Sequence, residues 1–223
     1  MTTKADVPII ILFGRPGAGK TTIANEVIAR KSEFARAIRD CGIHINLKAV
    51  DLDECIPQWM KDNFSKGIYP NLGERLAFAT DACRYVQKQI LNLVTGDDQS
   101  SNPQSNVRTA PCLLISFSFV NVDLRETFRS SFPHAHWVLI DTSLDESERR
   151  IAARDGHFYK GASANGNTEN KDELENSEWS FAPVDFTHTL IDGRDDVDSN
   201  AAKVVSLILE KSSVSLNDCL CSG

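Results

Sequence analysis

Gly14, Gly19, Lys20 and Thr21 stand at the fixed positions of G-x-x-x-x-G-K-[ST] within the stretch FGRPGAGKTT, Phe13 to Thr22. This spacing suits phosphate for physical reasons. Glycines let backbone N–H groups turn inward around phosphate oxygens without side-chain collision, and a helix beginning at Lys20 points its positive end at the same place. The Lys20 ammonium can reach the β- and γ-phosphates of a nucleoside triphosphate, and the Thr21 hydroxyl can serve the Mg²⁺ that bridges them. Pro16, Gly17, Ala18 and Thr22 complete the cradle. A chance glycine-rich turn is the competing reading, and the strand and helix patterns on either side argue against it.

A phosphate cradle does not say where the phosphate goes, so the acceptor side has to be found separately. Asp51 and Asp53 lie two apart at the end of an apolar run. On an extended segment they face the same side, so one can join the Mg²⁺ shell while its neighbour meets an acceptor hydroxyl. Alternatively, Asp53 caps the helical stretch that follows it. Charge on a transferring phosphoryl group must also be balanced by cations. Arg75 opens a long helical pattern, Arg125 and Arg129 share one helix face, and Arg149, Arg150 and Arg154 cluster before an irregular segment. Any one of these can be an ordinary solvated arginine. Position favours Arg75 and Arg125 near the carboxyl ends of the strands, with Arg154 beside the irregular segment.

The elements that must position these groups alternate strand and helix, as in a parallel α/β sheet. Val7 to Phe13 reads as a strand buried on both faces, followed by a helix from Lys20 to about Lys31. IHINLKAVDL supplies a second strand ending at the two acids, with a helix beginning near Glu54. A long helix runs from about Leu72 to Val94, with Leu76, Ala79, Cys83 and Val86 on one face. Residues 95–111 form a polar loop, CLLISFSFV a third strand, VNVDLRETFRSSF a helix and AHWVLIDT a fourth strand. LDESERRIAARDG is a charged helix stopping at Gly156, HTLIDG the last strand, and VDSNAAKVVSLILEK the last helix, with Asp198 or Ser199 as its cap. Between residues 156 and 181 periodicity is lost, and the segment is read either as a lid or as a surface loop.

A chain of 223 residues, 41% hydrophobic and 25% charged, fits one domain with a real core. Its formal charge of -7 argues against a nucleic-acid-binding surface, and no run is long enough to span a bilayer. The expectation is a cytoplasmic protein with a small-molecule substrate, without nucleic-acid or membrane partners, as monomer or homodimer. Cys41, Cys55, Cys83 and Cys112 are scattered among apolar neighbours and read as reduced core residues. His134 and His136 flank a turn and read as structural or exposed. Trp59, Phe64 and Tyr69 can line a base pocket, with helix packing as the commoner outcome.

Taken together, these residues resemble the small P-loop metabolite kinases, gluconate kinase most of all, over nearly the whole chain. Besides the P-loop, DLDE looks like the family's Asp-Gly-Asp segment, and GIYPNLGER keeps its Gly-to-Arg spacing, ending at Arg75. SFVNVDLRETFR, which contains Ser118 and Arg125, is similar to its Ser-Ala-Leu-Lys stretch. RIAARDGHF resembles the family's entry into its lid. The chain departs from the pattern at Leu52, Ile56 and Asn121, where the family carries Gly, His and Lys. Shikimate kinase and adenylylsulfate kinase share the P-loop and paired acids.

The resemblance implies a three-layer αβα fold of the nucleoside-monophosphate-kinase-like type, with a parallel five-stranded sheet. It implies ATP and Mg²⁺ as cofactors and transfer of the γ-phosphate to a hydroxyl of a sugar acid or related polyol. Lys20, Asp53 and Arg154 are the implied catalytic residues. Gly14, Pro16, Gly17, Ala18, Gly19, Lys20, Thr21 and Thr22, with Arg150 and Arg154, hold ATP, and Thr21 and Asp51 serve the metal. Asp53, Arg75, Ser118, Arg125 and His157 hold the acceptor. A nucleotide-binding switch acting through a protein partner, or a kinase of nucleosides or nucleotides, are the alternatives.

Overall fold

In a computed structural model, the structure describes residues 7–30, 43–95, 108–154, 159 and 180–220. Five strands form one parallel sheet: β1 (Ile9–Phe13), β2 (Ile43–Asp51), β3 (Arg108–Ser116), β4 (His136–Asp141) and β5 (Thr189–Asp192), in the order β2-β3-β1-β4-β5. The helices are α1 (Lys20–Ala29), α2 (Gln58–Phe64), α3 (Leu72–Thr95), α4 (Val122–Ser131), α5 (Leu144–Ala152) and α6 (Val197–Leu220), with a short 3₁₀ turn at Leu52–Cys55.

Period-two alternation in the buried strands divides the core into two faces. From β1, Ile10 and Leu12 join Ile23, Val27, Val204 and Ile208 of α1 and α6. Ile11 and Phe13 join Leu52, Met60, Phe78, Val86 and Phe128 on the side of α2, α3 and α4. The sheet is therefore covered by helices on both faces, which gives the expected three-layer αβα architecture. The strand order reverses around β1, because β2 and β3 lie to one side and β4 and β5 to the other. At such a switch point the loops leaving neighbouring strands diverge and open a crevice beyond their carboxyl ends. Asp51 of β2 pairs with Ser116 of β3, which pairs with Leu12 of β1, so the ends of three strands lie level with one another.

Several boundaries differ from the sequence reading. Thr95 belongs to α3, and Arg108–Pro111, expected in the polar loop, belong to β3, where pairing with β2 overrides local polarity. Residues 96–107 lie outside the described residues. On α3, Ala79, Cys83 and Val86 are buried as expected, whereas Leu76 is exposed. Helix α5 stops at Ala152 rather than Gly156. The cap of α6 is Asp196, whose Oδ1 accepts the Ser199 N–H, while Asp198 pairs with Arg30 of α1 at 2.6 Å. His136 has a structural role, with Nε2 2.9 Å from Thr189 Oγ1 between β4 and β5. Among the described residues no helix is long and apolar enough to cross a membrane. Most of the segment 156–181 lies outside the described residues.

Candidate active site

The turn after β1 owes its shape to three glycines with positive φ: Gly14 at 145°, Gly17 at 83° and Gly19 at 94°. A Cβ on Gly14 would lie 2.5 Å from the Ile140 carbonyl oxygen, and one on Gly17 would lie 2.6 Å from the Ser147 carbonyl oxygen. Both glycines therefore fix how closely the loop packs on β4 and α5. A Cβ on Gly19 would make only an ordinary contact, 3.8 Å from Arg150 Nη1, so this position needs glycine for its backbone angle alone. The loop is tied down from behind. Ser147 Oγ donates to the Pro16 carbonyl, and Gly14 N–H donates to the Ser118 carbonyl at 3.4 Å. Gly17→Ala is expected to weaken nucleotide binding at least about tenfold, since both the angle and the space oppose a methyl group; titration with a fluorescent ATP analogue measures this.

Lys20 is nearly buried at the foot of the loop. Its Nζ donates to the carbonyls of Arg15 at 2.8 Å and Gly14 at 3.2 Å. Burial lowers its pKa from 10.5 to about 8, opposed by the Asp53 carboxylate, reinforced by Arg154 and again opposed by Asp51. At pH 7 the folded and unfolded chains both carry the proton, and the folded one bears the desolvation cost. Between pH 8 and 10.5 the unfolded chain binds more protons, so stability climbs with pH across that window. Without nucleotide, Lys20→Met is expected to be more stable than the wild type at pH 7 by up to about 3 kcal/mol, an advantage that fades towards pH 10.5. Urea denaturation at the two pH values tests this.

Asp51 ends β2 and links both halves of the site. Its Oδ2 accepts the Thr21 hydroxyl at 2.8 Å, and its Oδ1 accepts the Asp53 N–H at 3.0 Å. The cap of the following turn is thus Asp51, not Asp53. The two acids do not share one extended segment either, since the strand stops at Asp51 and Asp53 sits in the 3₁₀ turn. Leu52 between them is fully buried in the core, and both acids line the same cavity. Thr21 and Asp51 present hydroxyl and carboxylate oxygens side by side at the helix start, a donor set that fits Mg²⁺.

That cavity runs from the P-loop into the molecule. Pro16, Gly17, Gly19, Lys20, Thr21, Asp51, Asp53, Arg75, Ser118 and Arg154 all line it, so the structure brings together most of the residues singled out from the sequence. Gly14 and Ala18 are buried and shape the loop from behind, and Thr22 is exposed off the cavity. Arg75 is buried, with Nε donating to Asp123 Oδ2 at 2.8 Å and Nη1 to the Pro70 carbonyl at 3.1 Å.

Two arginines are placed differently from expectation. Arg125 is 1% exposed and does not line the cavity. It donates to the carbonyls of Phe119, Val120 and Pro183, and its guanidinium lies 4.4 Å from the Phe181 ring centroid. Burial lowers its pKa to about 10, which leaves it charged at neutral pH. It therefore clamps the loop after β3, including Phe119 at φ 48°, instead of touching an acceptor. Arg125→Ala is expected to destabilise the fold by about 3 kcal/mol by orphaning buried carbonyls, readable in a denaturant midpoint. Arg150 also lies off the cavity. It donates to the Ala18 and Gly193 carbonyls and pairs with Glu146, bracing the P-loop against the turn after β5. His157 lies outside the described residues.

Of Trp59, Phe64 and Tyr69, offered by the sequence for a base pocket, Phe64 lines the cavity, but the sequence reading missed the rest of its apolar wall. Ile56, Met60, Phe78, Phe117, Phe119 and Tyr159 line it. Their spacing looks like core spacing, and only the convergence of α2, α3 and the β3 loop gives them a shared surface.

A glycine turn between strand and helix, with Lys20 and Thr21 at its mouth on a parallel sheet of this order, defines a P-loop nucleotide-binding fold of the nucleoside-monophosphate-kinase-like type. Solved structures that share the fold include an unliganded sugar kinase from Janibacter sp. HTCC2649, 15% identical with a TM-score of 0.61, covering 90% of this chain and 94% of that one. A gluconokinase from Sinorhizobium meliloti 1021 is 15% identical at a TM-score of 0.53, covering 92% and 97% of the two chains. The Mycobacterium tuberculosis APS kinase in complex with AMPPNP and APS is 14% identical at a TM-score of 0.52, covering 91% and 97%. No family model matches the sequence, and no curated protein matches it.

Proposed function

We propose that the chain is an ATP-dependent phosphotransferase that moves the γ-phosphate onto a hydroxyl of a small metabolite. One observation carries the reading: Lys20, Thr21, Asp51, Asp53 and Arg154 meet on a single cavity that continues past the acids into a space lined by Ile56, Met60 and Phe78. A cradle built only to retain nucleotide has no need of that space. The sugar kinase and gluconokinase among the structural neighbours support a hydroxyl acceptor by analogy of fold.

In this reading the P-loop backbone and Lys20 hold the phosphates, while Thr21 and Asp51 would hold Mg²⁺. When bound, the ion neutralises charge on the β- and γ-phosphate oxygens. Asp53 takes the proton of the acceptor hydroxyl as its oxygen forms a bond to the γ-phosphorus. The bond from that phosphorus to the bridging oxygen breaks, and ADP leaves with the electron pair. Lys20 and Arg154 face the charge that accumulates on the transferring group.

The test is ADP formation with Mg²⁺ and ATP across a panel of sugar acids, polyols, nucleosides and aromatic alcohols. One or more compounds should stimulate ADP release well above the rate in water. A rate indifferent to every compound would instead indicate an ATPase or a switch acting through a partner.

A further inference from the structure

The two ends of the cavity differ in chemistry. Around the P-loop it presents Lys20, Thr21, Asp51, Asp53 and Arg154. Beyond the acids its wall is made of Ile56, Met60 and Phe64, which follow β2, with Phe78 of α3 and Phe117 and Phe119 of the loop after β3. The rings form two groups: Phe78 and Phe117 have centroids 5.5 Å apart and Phe117 and Phe119 lie edge to face at 5.1 Å, while Phe64 meets Tyr159 at 6.3 Å. A polyhydroxylated chain laid against this wall would surrender water at each hydroxyl, and each one left unsatisfied bears its full desolvation penalty. A flat apolar body would gain by displacing the same water.

Charge points the same way. Among the described residues, the cation on this part of the wall is Arg75, which is held by Asp123 at 2.8 Å and by the Pro70 carbonyl. A carboxylate on the acceptor would have to compete with Asp123 for that guanidinium, and would also lie near the carboxylates of Asp51 and Asp53 on the same cavity. An anionic acceptor therefore meets an arginine whose charge is already answered.

We propose that the acceptor is an uncharged alcohol carrying a planar, largely apolar body, of the kind found in neutral nucleosides and aryl-substituted polyols, and not a sugar acid. Its ring lies against Phe64, Phe78 and Phe117, and its hydroxyl is turned towards Asp53. The inference rests on the phosphotransferase reading above and narrows it to one class of substrate. The bond changes are those of the transfer already described, with the alcohol oxygen as nucleophile and ADP as leaving group.

The experiment measures acceptor binding by calorimetry with a non-hydrolysable ATP analogue and Mg²⁺ present, and phosphate-ester formation with ATP in parallel. The compounds are neutral nucleosides, 1-phenyl-1,2-ethanediol, gluconate and shikimate. Neutral ring-bearing alcohols should bind at least about tenfold more tightly than either carboxylate. Binding of nucleosides alone would mean that the wall also reads the base's polar edge, and binding of both classes that the apolar body suffices; each supports the proposal. Asp123→Asn, which removes the carboxylate charge bound to Arg75 Nε, should shift the preference towards carboxylates by about tenfold. Tighter binding of gluconate or shikimate than of every neutral compound would overturn the inference while leaving the transfer reaction intact. Ring alcohols that bind without receiving phosphate would uphold the pocket's preference and sink the phosphotransferase reading instead. Failure of every neutral ring compound to bind also overturns the proposal.

Discussion

Lys20→Ala is expected to give a folded protein whose phosphoryl transfer from ATP falls by about 10³-fold or more. The ammonium is placed at the bottom of the cavity, almost out of solvent, where a charge acts through little water. In the structure it is held by two loop carbonyls, both weak partners beside a phosphate oxygen. A triphosphate arriving in the loop offers it a full negative charge, which favours the protonated form that burial alone disfavours. The residue thus bears a desolvation cost without ligand and recovers it on binding. Affinity for the nucleotide should fall along with turnover, and both are measured by titration and by a coupled ADP assay.

Asp53→Asn should behave differently. The substitution keeps size and hydrogen-bonding capacity but removes the base, so turnover should drop by about 10² to 10⁴-fold while ATP affinity changes by no more than about threefold. Thr21 and Asp51 remain to meet the metal, and the P-loop is untouched. The contrast with Lys20→Ala separates a group that binds phosphate from one that acts on the acceptor. Near-normal turnover by Asp53→Asn with a true acceptor would remove Asp53 from the proton transfer. Its remaining part would then be electrostatic, as the carboxylate acting most strongly on Lys20.

The phosphate end of the site was legible in the sequence because its chemistry is local. A strand, a turn with positive φ at Gly14, Gly17 and Gly19, and a helix starting at Lys20 need only neighbouring residues to specify them. The parallel sheet was legible for a similar reason, since the β1 and β4 runs are apolar enough to be buried on both faces. The acceptor end depends on distant pairings. Nothing near Arg75 announces that Asp123, 48 residues later, holds its guanidinium. Arg125 shares the sequence character of a ligand-binding arginine, yet Pro183, far along the chain, draws it into the wall behind Phe119. Phe117 and Phe119 read as strand residues, and become cavity lining only because β3 ends at Ser116 and the chain turns across the crevice. The cap of the turn after β2 moved from Asp53 to Asp51 because the strand ends one residue before Leu52 plunges into the core.

The most direct measurement follows the γ-phosphate itself. ATP labelled at that position is incubated with the protein, Mg²⁺ and each acceptor of the panel, and the label is traced to an organic phosphate ester or to inorganic phosphate. The account predicts that with at least one alcohol the label leaves ATP as an ester, and that Asp53→Asn suppresses this product. Label recovered only as inorganic phosphate with every acceptor, or an ester formed equally well by Asp53→Asn, would contradict it.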